Sequence, residues 1–189
     1  MAVNQITATQ MIGGNPAGRR SETDFYPTPP DVTEALLRAI GFQKPVVIWE
    51  PACGEMDMAS ALQSSGHTVI ATDLKYGQDF LTMPLQECDW IITNPPFSAS
   101  DKFIERCVEH GKPFALLLKS QYWHARRRYD LFWNHPPTYV CPLTWRPDFL
   151  FKKPGKRSAP LMDVMWCIWI PGSEGTLYVP LSKPGGVAL

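Results

Sequence analysis

The sequence predicts an α/β fold on a mostly parallel sheet, and three observations carry that reading. Four short apolar runs, at 46–50, 68–72, 89–93 and 114–119, are continuous rather than alternating, as strands buried on both faces are. Helical patterns follow the first and third of them, so those strands and their successors can lie parallel, while the usual helix after the second is nearly gone. The first run breaks into the small residues Pro51, Ala52, Cys53 and Gly54 before its helix, and strand, small-residue turn and helix is how open α/β sheets hold a nucleotide-like ligand.

The bulk numbers set bounds on this fold. A chain of 189 residues suits one domain that buries about two thirds of its unfolded surface. Hydrophobic content of 44% and seven tryptophans fit a globular chain. No apolar run reaches membrane-spanning length, and the N-terminus lacks the layout of a signal peptide. The five cysteines (Cys53, Cys88, Cys107, Cys141, Cys167) are scattered and never spaced CxxC, so no disulfide frame or metal site is expected and the chain reads as reduced and cytoplasmic.

In chain order, residues 1–20 carry Gly13-Gly14-Asn15-Pro16 without apolar periodicity and read as a flexible tail; 21–189 read as one domain. Pro29 and Pro30 hold the backbone extended, and a helix from Asp31 to Ile40 ends at Gly41. After the first strand (Val46–Glu50) a helix runs from about Asp57 to Ser65 and stops at Gly66. The second strand, Thr68–Thr72, brings Asp73 to its carboxyl end, where an acid about 20 residues past the glycine turn is placed to accept ribose hydroxyls. Ser98–His110 reads as an amphipathic helix, Phe114–Lys119 as a fifth buried strand, and Tyr139–Leu143 and Met162–Ile170 as a closing antiparallel pair. The Gly- and Pro-rich tail from Pro171 reads as peripheral.

Asn94-Pro95-Pro96-Phe97 ends the strand at Asp89–Thr93. Two consecutive prolines lack N–H groups and fix φ, so the turn is stiff and its carbonyls do not pair as in a helix. The oxygens of Asn94 and Pro95 can accept both N–H bonds of a planar exocyclic amine while Phe97 stacks on the ring that bears it. The bland alternative for the turn alone is an ordinary Pro-rich loop after a strand.

Together, the turn after the first strand and the Asn94–Phe97 turn resemble two motifs of the S-adenosylmethionine-dependent amino-methyltransferases, above all the adenine-N6 DNA methyltransferases of phage and prophage type. The resemblance spans about residues 24–170. It implies a Rossmann-like class I methyltransferase fold, with a mostly parallel seven-stranded sheet and an antiparallel closing hairpin. It also implies S-adenosylmethionine as cofactor, S-adenosylhomocysteine as product, and no metal. By the same resemblance, Tyr26-Pro27-Thr28 closes over the methionine end, and Glu50 takes the α-ammonium. Pro51, Ala52, Cys53 and Gly54 form the cofactor loop. Asp79 takes the adenine amino group and Phe80 covers the ring. Asn94, Pro95, Pro96 and Phe97 are the implied catalytic turn, with Asn94 also beside the cofactor. One position departs from the family, which usually has a second glycine where this chain has Met56. Methionine does not sit comfortably at φ > 0, so the loop is expected to take an allowed conformation and line the cofactor with that side chain.

Net charge is zero, yet nine basic residues (Lys119, Arg126, Arg127, Arg128, Arg146, Lys152, Lys153, Lys156 and Arg157) face only Asp130 and Asp148 in their stretch, a local excess of seven positive charges. That polarity is the footprint of a face that meets phosphates, so residues 121–160 are the expected nucleic-acid segment. The expected reaction is methyl transfer to the N6 amine of a flipped-out adenine in DNA, with short or little sequence specificity. No membrane and no obligate protein partner are expected, and the host compartment is a bacterial or phage-infected cytoplasm. The rivals are guanine-N2 or adenine-N6 methylation of RNA, glutamine-amide methylation of protein, and an inactive binding module.

Overall fold

The computed structural model describes residues 26–152 and 162–185. The expected tail, Lys153, Lys156 and Arg157 therefore lie outside the described residues. In chain order the elements are α1 (Pro30–Ile40), β1 (Val47–Glu50), α2 (Asp57–Ser64), β2 (Thr68–Ala71), β3 (Trp90–Thr93), α3 (Ser100–His110), β4 (Phe114–Lys119), α4 (Tyr129–Asn134), β5 (Tyr139–Pro142), β6 (Val164–Trp169) and β7 (Leu177–Tyr178). Seven strands form one sheet in the order β2-β1-β3-β4-β6-β5-β7. β1 runs parallel to β2 and β3, β3 to β4, and β5 to β7; β6 alone is antiparallel, to β4 and β5. The expected architecture, mostly parallel with an antiparallel hairpin, is therefore present.

Continuous apolar runs become strands because both faces of the sheet are covered. Side chains alternate between two cores with the period of two. Ile48, Ile92, Ala115, Leu117 and Trp166 meet Val32 and Leu36 of α1 and Met58 and Leu62 of α2 on one face. Trp49, Ile91, Leu116, Leu118 and Cys167 meet Phe103, Ile104 and Cys107 of α3 on the other. The buried tryptophans keep their indole N–H groups satisfied: Trp49 donates to Thr72 Oγ1 at 2.9 Å, and Trp166 to the Val32 carbonyl at 3.0 Å. All five cysteines are free and buried.

Three expectations change. Pro30 is the first residue of α1 rather than part of the extended entry, since its missing N–H is one that a helix start leaves unpaired. Phe114–Lys119 is the fourth strand in chain order, not the fifth, and the segment at 79–83 forms a turn. There the Asp79 side chain accepts the Leu81 N–H (3.0 Å) and its carbonyl takes the N–H groups of Thr82 (3.1 Å) and Met83 (2.8 Å), so those donors serve a turn instead of a ladder. The tail beyond Pro171 is not peripheral: Leu177 and Tyr178 add β7 to the β5 edge, with the Leu177 N–H on the Thr138 carbonyl at 2.8 Å.

Candidate active site

The chain leaves β1 for β2 on one side and returns to β3 on the other, so the strand order reverses at β1. Such a switch point opens a crevice beyond the carboxyl ends of the strands. A cavity of about 720 Å³ lies there. The loops after β1, β2 and β3 wall it, and the segment Tyr26-Pro27-Thr28 forms another side.

The loop after β1 is held by backbone hydrogen bonds. The Cys53 N–H meets the Thr72 carbonyl at 3.0 Å, and the Gly54 N–H, at φ 51°, meets Asp73 Oδ2 at 2.7 Å. Ala52, Cys53 and Gly54 line the cavity, whereas Pro51 is buried behind them. Met56 corrects the sequence expectation: it adopts φ 67°, ψ 16°, in the left-handed region itself. Its N–H bonds the Cys53 carbonyl and its own carbonyl accepts the Ser60 N–H, both at 2.8 Å, which together offset a conformation costing roughly 1–2 kcal/mol. The methionine that lines the cavity is Met58, with Glu55 and Asp57 beside it. Sequence reasoning missed these three; the one signal was their place at the start of α2, directly after the glycine turn.

Glu50, the last residue of β1, is only 2% exposed, and its Oε2 has no hydrogen-bond partner. Burial pushes its carboxyl up to about 8, and the nearby Asp73 and Asp57 carboxylates add to the rise. An unpaired buried carboxylate oxygen on a cavity wall suits a cationic ligand group. Asp73 lines the same cavity, its Oδ2 taking the Gly54 N–H and its Oδ1 the Lys75 N–H at 2.8 Å. It therefore caps the short helical turn at Leu74–Tyr76 while each oxygen keeps a further lone pair.

Asn94, at the end of β3, donates from Nδ2 to the Tyr26 carbonyl and to Thr28 Oγ1, both at 3.0 Å. A carbonyl can only accept, so the amide orientation is settled and Oδ1 turns away from the 26–28 segment. Pro95 and Pro96 line the cavity with Asn94. Contrary to expectation, one carbonyl of the turn does pair helically: Pro96 accepts the Ala99 N–H at 2.9 Å, since the prolines remove donors and not acceptors. Phe97 lies off the cavity wall, its ring centroid 5.6 Å from that of Tyr26 and 4.2 Å from Lys119 Nζ.

Asp79 and Phe80 are not brought to the cavity. Phe80 is 1% exposed and packs on Trp49 and Phe103 at 5.0 and 4.8 Å, so it is core and not a cover for a bound ring. The basic residues divide. Arg128 bonds Asp101 and the Tyr122 carbonyl, both at 2.9 Å, and stacks on the Tyr122 ring. Burial pushes the Asp101 carboxyl up, but hydrogen bonds from Tyr122 and Arg128 outweigh it and hold it below the usual range. Arg127 is 3.5 Å from Asp101, Arg146 pairs with Asp163 at 2.8 Å, and Lys152 pairs with Asp57 and Glu55 at the cavity. Arg126 is exposed. Among the described residues no cluster of His, Cys, Asp and Glu could hold a metal, and no helix is long and apolar enough to cross a membrane.

Solved structures share this fold. A protein assigned as a class I S-adenosylmethionine-dependent methyltransferase from Listeria monocytogenes matches at 16% identity and a TM-score of 0.55 over 80% of this chain and 62% of its own. One assigned as an RNA methyltransferase from Pyrococcus horikoshii matches at 15% and 0.60 over 82% and 91%. The methyltransferase subunit of a type I restriction-modification system from Streptococcus thermophilus matches at 13% and 0.60 over 82% and 47%. The chain thus spans less than two thirds of the Listeria and Streptococcus proteins. The fold is that of the Rossmann-like class I methyltransferases. No protein-family model and no curated protein matches the chain.

Proposed function

We propose that this chain transfers a methyl group from S-adenosylmethionine to the exocyclic N6 amine of a flipped-out adenine in DNA, with short or little sequence specificity. The observation that carries the reading is the fixed amide of Asn94, pinned through Nδ2 on the wall of a cavity also lined by Glu50 with its unpaired Oε2.

The residues present fit the cofactor. Glu50 Oε2 supplies the missing partner of an α-ammonium, and Asp73 has lone pairs for two ribose hydroxyls. Thr28, whose oxygen accepts from Asn94, keeps its own O–H to donate to a carboxylate. When bound there, S-adenosylmethionine supplies a methyl group activated by a positive sulfur.

The chain's own part is positioning. Asn94 Oδ1 and the Pro95 carbonyl accept the two N–H bonds of the target amine, which draws the nitrogen toward tetrahedral geometry and localises its lone pair. The same acceptors stabilise the positive charge that grows on nitrogen in the transition state. A base pair hides that amine, so the adenine must leave the stack, and Phe97 is the ring that receives it. Residues 121–160 are the nucleic-acid segment of this reading, and a methyltransferase subunit of a restriction-modification system shares the fold.

The test is incubation of the protein with labelled S-adenosylmethionine and duplex DNA, followed by mass analysis of the nucleosides. N6-methyladenine is the expected product. Product on guanine N2 in RNA, or on a protein glutamine, moves the substrate; no product with any of them overturns the reading.

A further inference from the structure

β4 ends at Lys119 beside the Phe97 ring, and the chain runs from there into a short aromatic and basic platform. Tyr122 donates its hydroxyl to Asp101 near the start of α3, and Arg128 clamps both, its guanidinium 3.8 Å from the Tyr122 ring centroid. The platform is therefore anchored to the helix that follows the Asn94 turn. Beyond the anchor, Trp123, Phe132, Tyr129 and Trp133 wall a second cavity of about 380 Å³, separate from the first in its lining.

Its outer wall is exposed. Tyr129 and Trp133, one helical turn apart on α4, lie nearly parallel (15°) with centroids 5.9 Å apart and are 62% and 73% exposed. The back wall is firm: Trp123 packs on Phe132 at 4.4 Å and donates its indole N–H to the Met165 sulfur at 3.2 Å. Arg126 at the rim is exposed and makes no ion pair among the described residues, and Arg127 next to it is 67% exposed.

We propose that this cavity is a second nucleobase subsite, stacking an unpaired base of the nucleic acid close to the target while Arg126 and Arg127 meet the adjoining phosphates. The proposal rests on the nucleic-acid reading above. Flat aromatic faces beside exposed positive charges match a base with its own phosphate. The base must be unpaired, because a stacked duplex covers its ring faces; flipping the target leaves its former partner and neighbours in that state. A proline-rich peptide would use the rings but leave Arg126 without an anion.

The experiment measures binding of a labelled, adenine-containing single strand of about 12 nucleotides to the full chain by anisotropy. Tyr129→Ala and Trp133→Ala should each weaken binding by about 5- to 100-fold, with an unchanged salt slope because both variants keep every charge that meets a phosphate. Thermal melting and S-adenosylmethionine affinity should stay as in the wild type. Trp133→Phe keeps a stacking face and should restore binding to within about threefold. If the wild type binds the strand and both alanine variants bind it equally well, the subsite alone falls. If the wild type binds no oligonucleotide, or binds a proline-rich peptide instead, the nucleic-acid reading falls with it.

Discussion

Replacing Glu50 by Gln isolates the effect of one buried carboxylate. Burial raises Glu50 from 4.5 to about 8, so between those values the folded protein keeps a proton that the unfolded chain has released. Folding then takes up a proton, and native stability falls as pH rises through that window. Near pH 7 the penalty amounts to up to about 3 kcal/mol. Glutamine keeps the shape and does not titrate, so Glu50→Gln should melt higher than the wild type near pH 7. The gain is up to roughly 6–12 °C for a chain of this size, and the two should converge near pH 4.5. Thermal melting of both ligand-free proteins across that range is the assay. A variant that melts at or below the wild type near pH 8, or a difference that does not change with pH, refutes burial as the cause. An ammonium bound at Oε2 favours the charged carboxylate, so wild-type cofactor affinity should rise with pH between about 6 and 7.5, by at most tenfold per unit. Glu50→Gln should bind more weakly and without that rise.

The remaining expectations concern the loop and the basic face. Met56→Gly removes a side chain from a left-handed position and should stabilise the protein by about 1 kcal/mol in denaturant melts, with cofactor affinity unchanged. Asp73→Ala takes away the acceptor for the Gly54 and Lys75 N–H groups and should weaken S-adenosylmethionine binding by about 1–3 kcal/mol in calorimetric titration. Unchanged affinity places the cofactor elsewhere. Arg126→Ala with Arg127→Ala should weaken duplex binding on all sequences alike and flatten its salt slope by about 0.9 for each phosphate no longer neutralised. Arg128→Ala should instead lower the melting temperature, because that side chain is 13% exposed and fixed to Asp101 and Tyr122.

The central strands were legible because each is a continuous apolar run, and a sheet covered on both faces leaves no other pattern. β7 was not: two residues in a Gly- and Pro-rich tail carry no periodicity, and their place comes from backbone pairing with Thr138 and Val140. At Asp79 the side-chain acceptor decides for a turn, a local bond on which the resemblance that gave this residue the adenine amino group carried no information. Phe80 was assigned to a ligand on that same resemblance, and it fills the core between Trp49 and Phe103. Met56 failed as a prediction because a steric preference of one or two kcal/mol was treated as a prohibition. Of the basic run, Arg128, Arg146 and Lys152 answer carboxylates far away in sequence, which charge counting along the chain does not reveal. The residues that wall the first cavity were the easier part, since Glu50, Gly54, Asp73 and Asn94 all sit at the carboxyl ends of strands that the sequence marks.

The most direct test of the account is methyl transfer by Asn94→Ala, measured as kcat/KM on adenine-containing DNA beside the calorimetric affinity for S-adenosylmethionine. Removing the amide takes one acceptor from the target amine and should cost about 3 kcal/mol or more of transition-state stabilisation, a loss of 100-fold or greater. Cofactor affinity should fall by much less than kcat/KM, because Glu50 and Asp73 remain in place and only the Nδ2 bonds to Tyr26 and Thr28 are lost. A variant that keeps half the wild-type activity would contradict the assignment of the Asn94 turn as the site of the chemistry.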